Sequence, residues 1–199
     1  MHRIFAMAVL AALLSVWPAA AQDAGSQPAP ARPQGWWASL GVDFSAMRFA
    51  CQDCADEQPV YESAAGQVAF GKSIGNRVAL GVEVATAWPK GPPGRAVTTT
   101  VSGMARWYPS DSPLHVKFGV GIARGRITLA SGAEGYQKIR NGVAISFGTG
   151  YDIRVGKSVA ITPMFGWYMG AIGDVTTPTV SIRNVSWNRW TFGVGVTIF

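Results

Sequence analysis

Between Val97 and Ile122, apolar and polar side chains alternate along two runs separated by Ser110-Asp111-Ser112-Pro113. In the first run Val97, Thr99, Val101, Ala105 and Trp107 alternate with Thr98, Thr100, Ser102, Met104 and Arg106. In the second, Leu114, Val116, Phe118, Val120 and Ile122 alternate with His115, Lys117, Gly119, Gly121 and Ala123. A period of two marks a strand, because successive side chains leave a pleated backbone on opposite sides. The turn formers between the runs close them as a hairpin. Each run has the roughly 9–11 residues that a tilted strand needs to cross a hydrocarbon layer. One face is free of charge, whereas the other carries Arg106 and Lys117, which a dry core does not accept unpaired. The hairpin reads as a wall with its apolar face toward lipid.

The same alternation predicts six further strands: Trp36 to Phe49, about Ala64 to Ser73, Val78 to Trp88, Val143 to Ile153, Val159 to Ala171, and a last strand ending at Phe199. Gly75-Asn76 tolerates the positive φ of a tight hairpin turn. Pro89-Lys90-Gly91-Pro92-Pro93-Gly94 is expected to leave the sheet. Cys51 to Ser63, Ile127 to Asn141 and Ile172 to about Val185 are predicted loops. Connections then alternate long and short. The turns at 75–76, 110–113 and 156–158 fall on one rim with both chain ends, and four longer loops fall on the other. The predicted fold class is all-β, an eight-stranded antiparallel up-and-down transmembrane β-barrel over residues 36–199. Closure removes the edges that would otherwise pair with other chains.

Composition places that barrel in an exported chain. The 199 residues amount to one domain, and 24 glycines with only 14% charged residues are unusual for a cytosolic enzyme. The one long apolar run, Ile4 to Trp17, follows His2-Arg3 and precedes Pro18-Ala19-Ala20-Ala21, which predicts a secretory signal over 1–21. Residues 22–35, rich in Ala, Pro and Gln, read as a flexible periplasmic lead-in. An exported chain with its apolar residues spread over short alternating runs either folds in the periplasm or forms an outer-membrane barrel. Without Arg3, 16 basic residues face 11 acidic ones, a net charge of +5. The basic residues are scattered, so nucleic acid is not the indicated partner. Phosphorylated lipid head groups suit them better.

From about Trp36 the chain resembles the small eight-stranded outer-membrane barrels, the OmpA/OmpX/OmpW-like group. The resemblance rests on the signal ending Ala-Ala-Ala-Gln, the terminal aromatic Phe199, and the phrase Trp107-Tyr108-Pro109 followed by Pro113-Leu114-His115-Val116-Lys117-Phe118-Gly119-Val120-Gly121. It implies insertion by the barrel-assembly machinery. In one respect the chain departs from the family: Trp190, Phe192, Val194, Val196 and Ile198 form the apolar face of the last strand, so Phe199 shares its phase with Gly193, Gly195 and Thr197.

Five charges fall on inward positions of five strands: Asp43, Glu83, Arg106, Lys117 and Asp152. Eight strands enclose a space that side chains just fill, so a paired charge network or a narrow wet lumen is expected, with Glu83 and Arg106 on neighbouring strands as one candidate pair. His115 is the only histidine left after processing, so any nucleophile–His–acid mechanism must use it. It lies at the periplasmic end, away from outer-leaflet acyl groups, and a lipid A deacylase reading fails on that ground. Cys51 and Cys54 are spaced for a local disulfide. A zinc site lacks further ligands, and no cofactor is indicated. Arg124, Arg126, Lys138, Arg140, Arg183 and Arg189 collect near the long-loop rim, where lipopolysaccharide phosphates sit, and arginine suits bidentate phosphate contact. Solvated loop charges are the competing reading. Trp36, Trp88, Trp107, Trp167, Trp187 and Trp190 read as interfacial girdles.

The function expected from these features is a monomeric, non-enzymatic outer-membrane barrel with a structural or interaction role. A narrow channel for small or hydrophobic solutes is one alternative. A soluble periplasmic lipocalin-like binder is another, and it requires the apolar faces to point inward.

Overall fold

The computed structural model describes residues 35–52, 59–91, 94–109, 112–129, 141–176 and 181–199. The signal and most of the lead-in, at 1–34, lie outside them. Eight long strands form one antiparallel sheet: β1 Trp36–Ala50, β2 Tyr61–Ile74, β3 Val78–Ala87, β4 Gly94–Trp107, β5 Leu114–Leu129, β6 Gly142–Tyr151, β7 Val159–Thr176 and β8 Ser181–Ile198. Each pairs with its sequence neighbour, and β8 pairs back onto β1, so the sheet closes.

The register fixes the dimensions. Following paired residues from Ala38 through Phe70, Val82, Gly103, Val120, Ile145, Met169 and Asn188 leads back to β1 at Arg48, ten residues above the start. Eight strands with a shear of ten tilt by about 43° and enclose a backbone cylinder of roughly 8 Å radius. A single layer of side chains fills such a space.

Every strand obeys the predicted phase. On β5, Leu114, Val116, Phe118, Val120 and Ile122 are exposed, while His115, Lys117 and Ala123 are buried. Exposed apolar residues continue around the outside: Leu40, Val42, Phe44, Val68, Phe70, Val82, Val84, Phe147, Phe165, Phe192, Val194 and Val196. This is the reverse of a lipocalin-like binder, whose apolar faces would look inward.

Several strand ends differ from expectation. β2 begins at Tyr61, so the first long loop is shorter than Cys51 to Ser63. β5 continues to Leu129, and β7 and β8 reach Thr176 and Ser181, into segments predicted as loops. Lys90–Gly91 still pairs with Gly94 and Arg95 despite its proline-rich setting. The predicted sixth strand breaks at Asp152: β6 pairs with β7 as far as Gly150 opposite Met164, and a two-residue strand, Ile153–Arg154, resumes opposite Ile161 and Ala160. Pro163 lies within that break and has no N–H to continue a ladder.

Glycine is required where large lumen side chains lie flat on the wall. The Trp37 ring covers Gly71 and Gly81, and a Cβ at Gly71 would also collide with the Leu80 carbonyl. Phe199 is half-buried against the cluster of Trp37, Ala69, Ala79 and Met104, with the Arg154 guanidinium 4.9 Å from its ring centre. The terminal aromatic therefore turns inward, as its phase requires.

Candidate functional site

The lumen is filled in layers. At the short-turn end, Tyr108 donates to Asp152 Oδ2 at 3.0 Å and Thr162 donates to Oδ1 at 2.8 Å. His115 Nδ1 stands 3.7 Å from Asp152 Oδ2, beyond hydrogen-bond reach. Its imidazole packs on Gly150, and among the described residues no serine or threonine hydroxyl hydrogen-bonds its ring. Arg106 lies over the Trp37 ring at 4.1 Å.

One layer higher, Lys117 Nζ donates to Glu83 Oε2 at 2.5 Å, to Tyr168 Oη at 2.9 Å and to Gln67 Oε1 at 3.2 Å. Tyr168 in turn donates to Glu83 Oε1 at 3.1 Å, and the Gln67 amide donates to Asp43 at 3.0 Å. Glu83 is only 1% exposed, so this ion pair spans the lumen out of bulk water. Between the two polar layers is a cavity of about 10 Å³ lined by Gln67, Arg106, His115, Lys117, Thr162 and Met164, among others. That is room for about one water.

Above the charges, Met47, Ile172, Val185 and Trp187 pack against Ala65, Ala85, Ala87, Ala123 and Ala144 as an apolar stopper. All five predicted lumen charges are thus buried, but they form two groups. Asp43, Glu83 and Lys117 belong to one, and Arg106 and Asp152 to the other. The partner of Glu83 is Lys117, not Arg106, because Arg106 sits opposite Ala79, nearer the short-turn end, where it stacks on Trp37. Sequence reading passed over Tyr168 and Gln67. Both occupy inward positions of predicted strands, and an inward Tyr or Gln facing charges was the available signal.

The outer collar is the second candidate. The apolar belt ends at one level on several strands, at Arg48 and Asn188, which pair, and at Glu62 and Arg124. Ten residues at the tilt above make the belt roughly 24 Å high, close to the apolar band of outer-membrane barrels. Arg124 and Arg126 point outward above it, and Arg124 Nε donates to Asn141 Oδ1 at 3.0 Å. Arg183 is exposed at the same end. Arg189 is a correction: it is fully buried in the lumen, its guanidinium 4.4 Å from the Tyr168 ring, because its odd position on β8 faces inward. Trp187 is a second, buried beside it, whereas Trp36, Trp88, Trp107 and Trp190 face outward. Lys138 and Arg140 lie outside the described residues. Cys51 is disulfide-bonded; Cys54 lies outside the described residues.

A closed barrel of eight strands with an apolar exterior and a charged, filled interior is the fold of the small outer-membrane barrels. Neisserial surface protein A is similar with a TM-score of 0.56 and 16% identity, over 82% of this chain and 96% of that one. Ail, the attachment invasion locus protein of Yersinia pestis, gives 0.48 and 10% over 83% and 100%. The outer membrane protein OprG from Pseudomonas aeruginosa gives 0.47 and 12% over 83% and 96%. No protein-family model matches the chain, and no curated protein does.

Proposed function

We propose that the protein resides in the outer membrane as a non-conducting, non-enzymatic barrel that engages lipopolysaccharide at its collar and displays its long loops outside. The observation that carries this reading is the contrast between the two surfaces. The exterior is one uninterrupted apolar belt topped by outward arginines, while the interior is closed by an ion pair, a ring stack and an apolar stopper. A belt of this height suits a hydrocarbon layer, and an exposed arginine such as Arg124 just above it suits contact with lipid phosphates. Among the described residues, the packed side-chain layers and a cavity with room for about one water support a closed lumen over a channel.

Fractionation with heat-modifiable migration on unboiled gels tests the residence, and planar-bilayer conductance tests the closed lumen. Recovery in the membrane fraction with no discrete conductance steps is expected. A soluble protein sinks the first claim, and steady unitary currents sink the second.

A further inference from the structure

Arg124 heads a row of paired outward positions that descends the lipid face of the wall. Thr99 on β4 lies opposite Arg124, Thr86 on β3 opposite Thr99, and Gly66 on β2 opposite Thr86. With strands about 4.8 Å apart and tilted by about 43°, such a row drops by roughly 3 Å per strand. Thr99 and Thr86 therefore stand about 3 Å and about 7 Å beneath the arginine, inside the edge of the hydrocarbon layer.

Their hydroxyls are 3.2 Å apart, and both side chains are half-buried. That contact uses one hydrogen, so the pair keeps a second O–H and spare lone pairs with no other side-chain partner among the described residues. Hydrocarbon offers such groups nothing, and leaving them unpaired there is costly. The surface beneath is apolar: the next row runs through Val68, Val84, Val101 and Ile122, all exposed. One row lower, Gly103 leaves a shallow hollow, since a Cβ there would find its nearest atom at 3.9 Å. From top to bottom the face presents a cation, a hydroxyl pair and an aliphatic floor.

We infer that Thr86 and Thr99 bind the acyl-linkage groups of one lipid A molecule whose phosphate rests on Arg124. The inference rests on the lipopolysaccharide reading above and gives it a site on β3 to β5. Charge selects the phosphate, and the depth of the hydroxyls selects the linkages between sugar and chains. The pair both donates and accepts. Ester-linked phospholipids supply only acceptors at that depth, whereas the amide N–H and hydroxyacyl groups of lipid A supply donors as well. The chains then descend over Val84 and Val101 toward Gly103.

The full chain, folded in detergent, is titrated with hexa-acylated diphosphoryl lipid A and separately with phosphatidylglycerol, and bound lipid is counted by native mass spectrometry. Joint replacement Thr86→Val and Thr99→Val is expected to weaken lipid A binding about fivefold or more, as the loss of one or two neutral hydrogen bonds implies, and to leave phosphatidylglycerol unchanged. Thr86→Ser with Thr99→Ser keeps the hydroxyls and retains the affinity. In the unaltered chain, methyl-labelled threonine NMR is expected to show saturable shifts at Thr86 and Thr99 with lipid A, so a folding failure of the valine pair leaves the test intact. The inference is overturned by wild-type affinity in the valine pair, by serines that bind no better than valines, by a matching loss for phosphatidylglycerol, or by methyls that do not respond. If Arg124→Glu with Arg126→Glu removes lipid A binding while the valine pair retains it, the collar reading stands and this site falls.

Discussion

Lys117 on β5 and Glu83 on β3 meet across the lumen at 2.5 Å, although β4 separates them in the wall. Both are nearly inaccessible to solvent; Tyr168 from β7 binds both groups, and Gln67 from β2 accepts from Lys117 and donates to Asp43 on β1. One hydrogen-bonded cluster therefore joins five strands through the barrel interior. Removing one member of a buried pair leaves the other charge stranded.

That relationship predicts strong, non-additive energetics. Glu83→Gln and Lys117→Met are each expected to lower the unfolding free energy by about 3–5 kcal/mol, and the double variant by clearly less than the sum. Urea unfolding in lipid vesicles measures this. The pair Glu83 and Arg106 should show coupling near zero in the same experiment, and additive effects for Glu83 and Lys117 would refute the cluster.

Glycine positions offer a contrast within one wall. A Cβ at Gly71 would collide with the Leu80 carbonyl oxygen and lie 2.7 Å from the Trp37 ring, whereas a Cβ at Gly103 would find its nearest atom at 3.9 Å. Gly71→Ala is expected to cost about 2 kcal/mol or more, with Gly103→Ala close to neutral. Trp37→Leu should not rescue Gly71→Ala, since the carbonyl contact remains. Band-shift assays of the folded fraction after refolding distinguish these outcomes.

At the collar, the joint charge reversal Arg124→Glu and Arg126→Glu is expected to weaken lipopolysaccharide binding at least roughly tenfold, as charge-assisted contacts at about 1.5–3 kcal/mol each imply. Phosphate assay of lipopolysaccharide co-purified with the barrel gives the readout. Arg189→Met should leave that amount unchanged, because its guanidinium is sealed in the lumen. Unaltered co-purification in the collar variant would remove the lipopolysaccharide contact from the account.

Much of this architecture was legible in the residue pattern, for a physical reason. Lipid on one side and a filled lumen on the other force strict alternation, so the phase of every strand and the inward placement of Asp43, Glu83, Arg106, Lys117 and Asp152 follow from period two. The strand ends were not legible. Apolar alternation stops where the lipid stops, at Arg124 or Asn188, while backbone pairing continues to Leu129 and Ser181. Arg189 was misplaced for a related reason. It is close in sequence to the long-loop rim, and sequence distance was weighed above its odd position on β8. The partner of Glu83 depended on reach across the lumen, which neighbour-strand reasoning cannot supply.

The central claim is the sidedness of the wall, and β5 tests it directly. Single cysteines at Leu114, His115, Val116, Lys117, Phe118, Gly119 and Val120, each carrying a nitroxide in lipid vesicles, report collisions with dissolved oxygen in the hydrocarbon layer. High oxygen accessibility at 114, 116, 118 and 120, alternating with low accessibility at 115, 117 and 119, is the predicted result. The opposite phase, or no alternation at all, contradicts it.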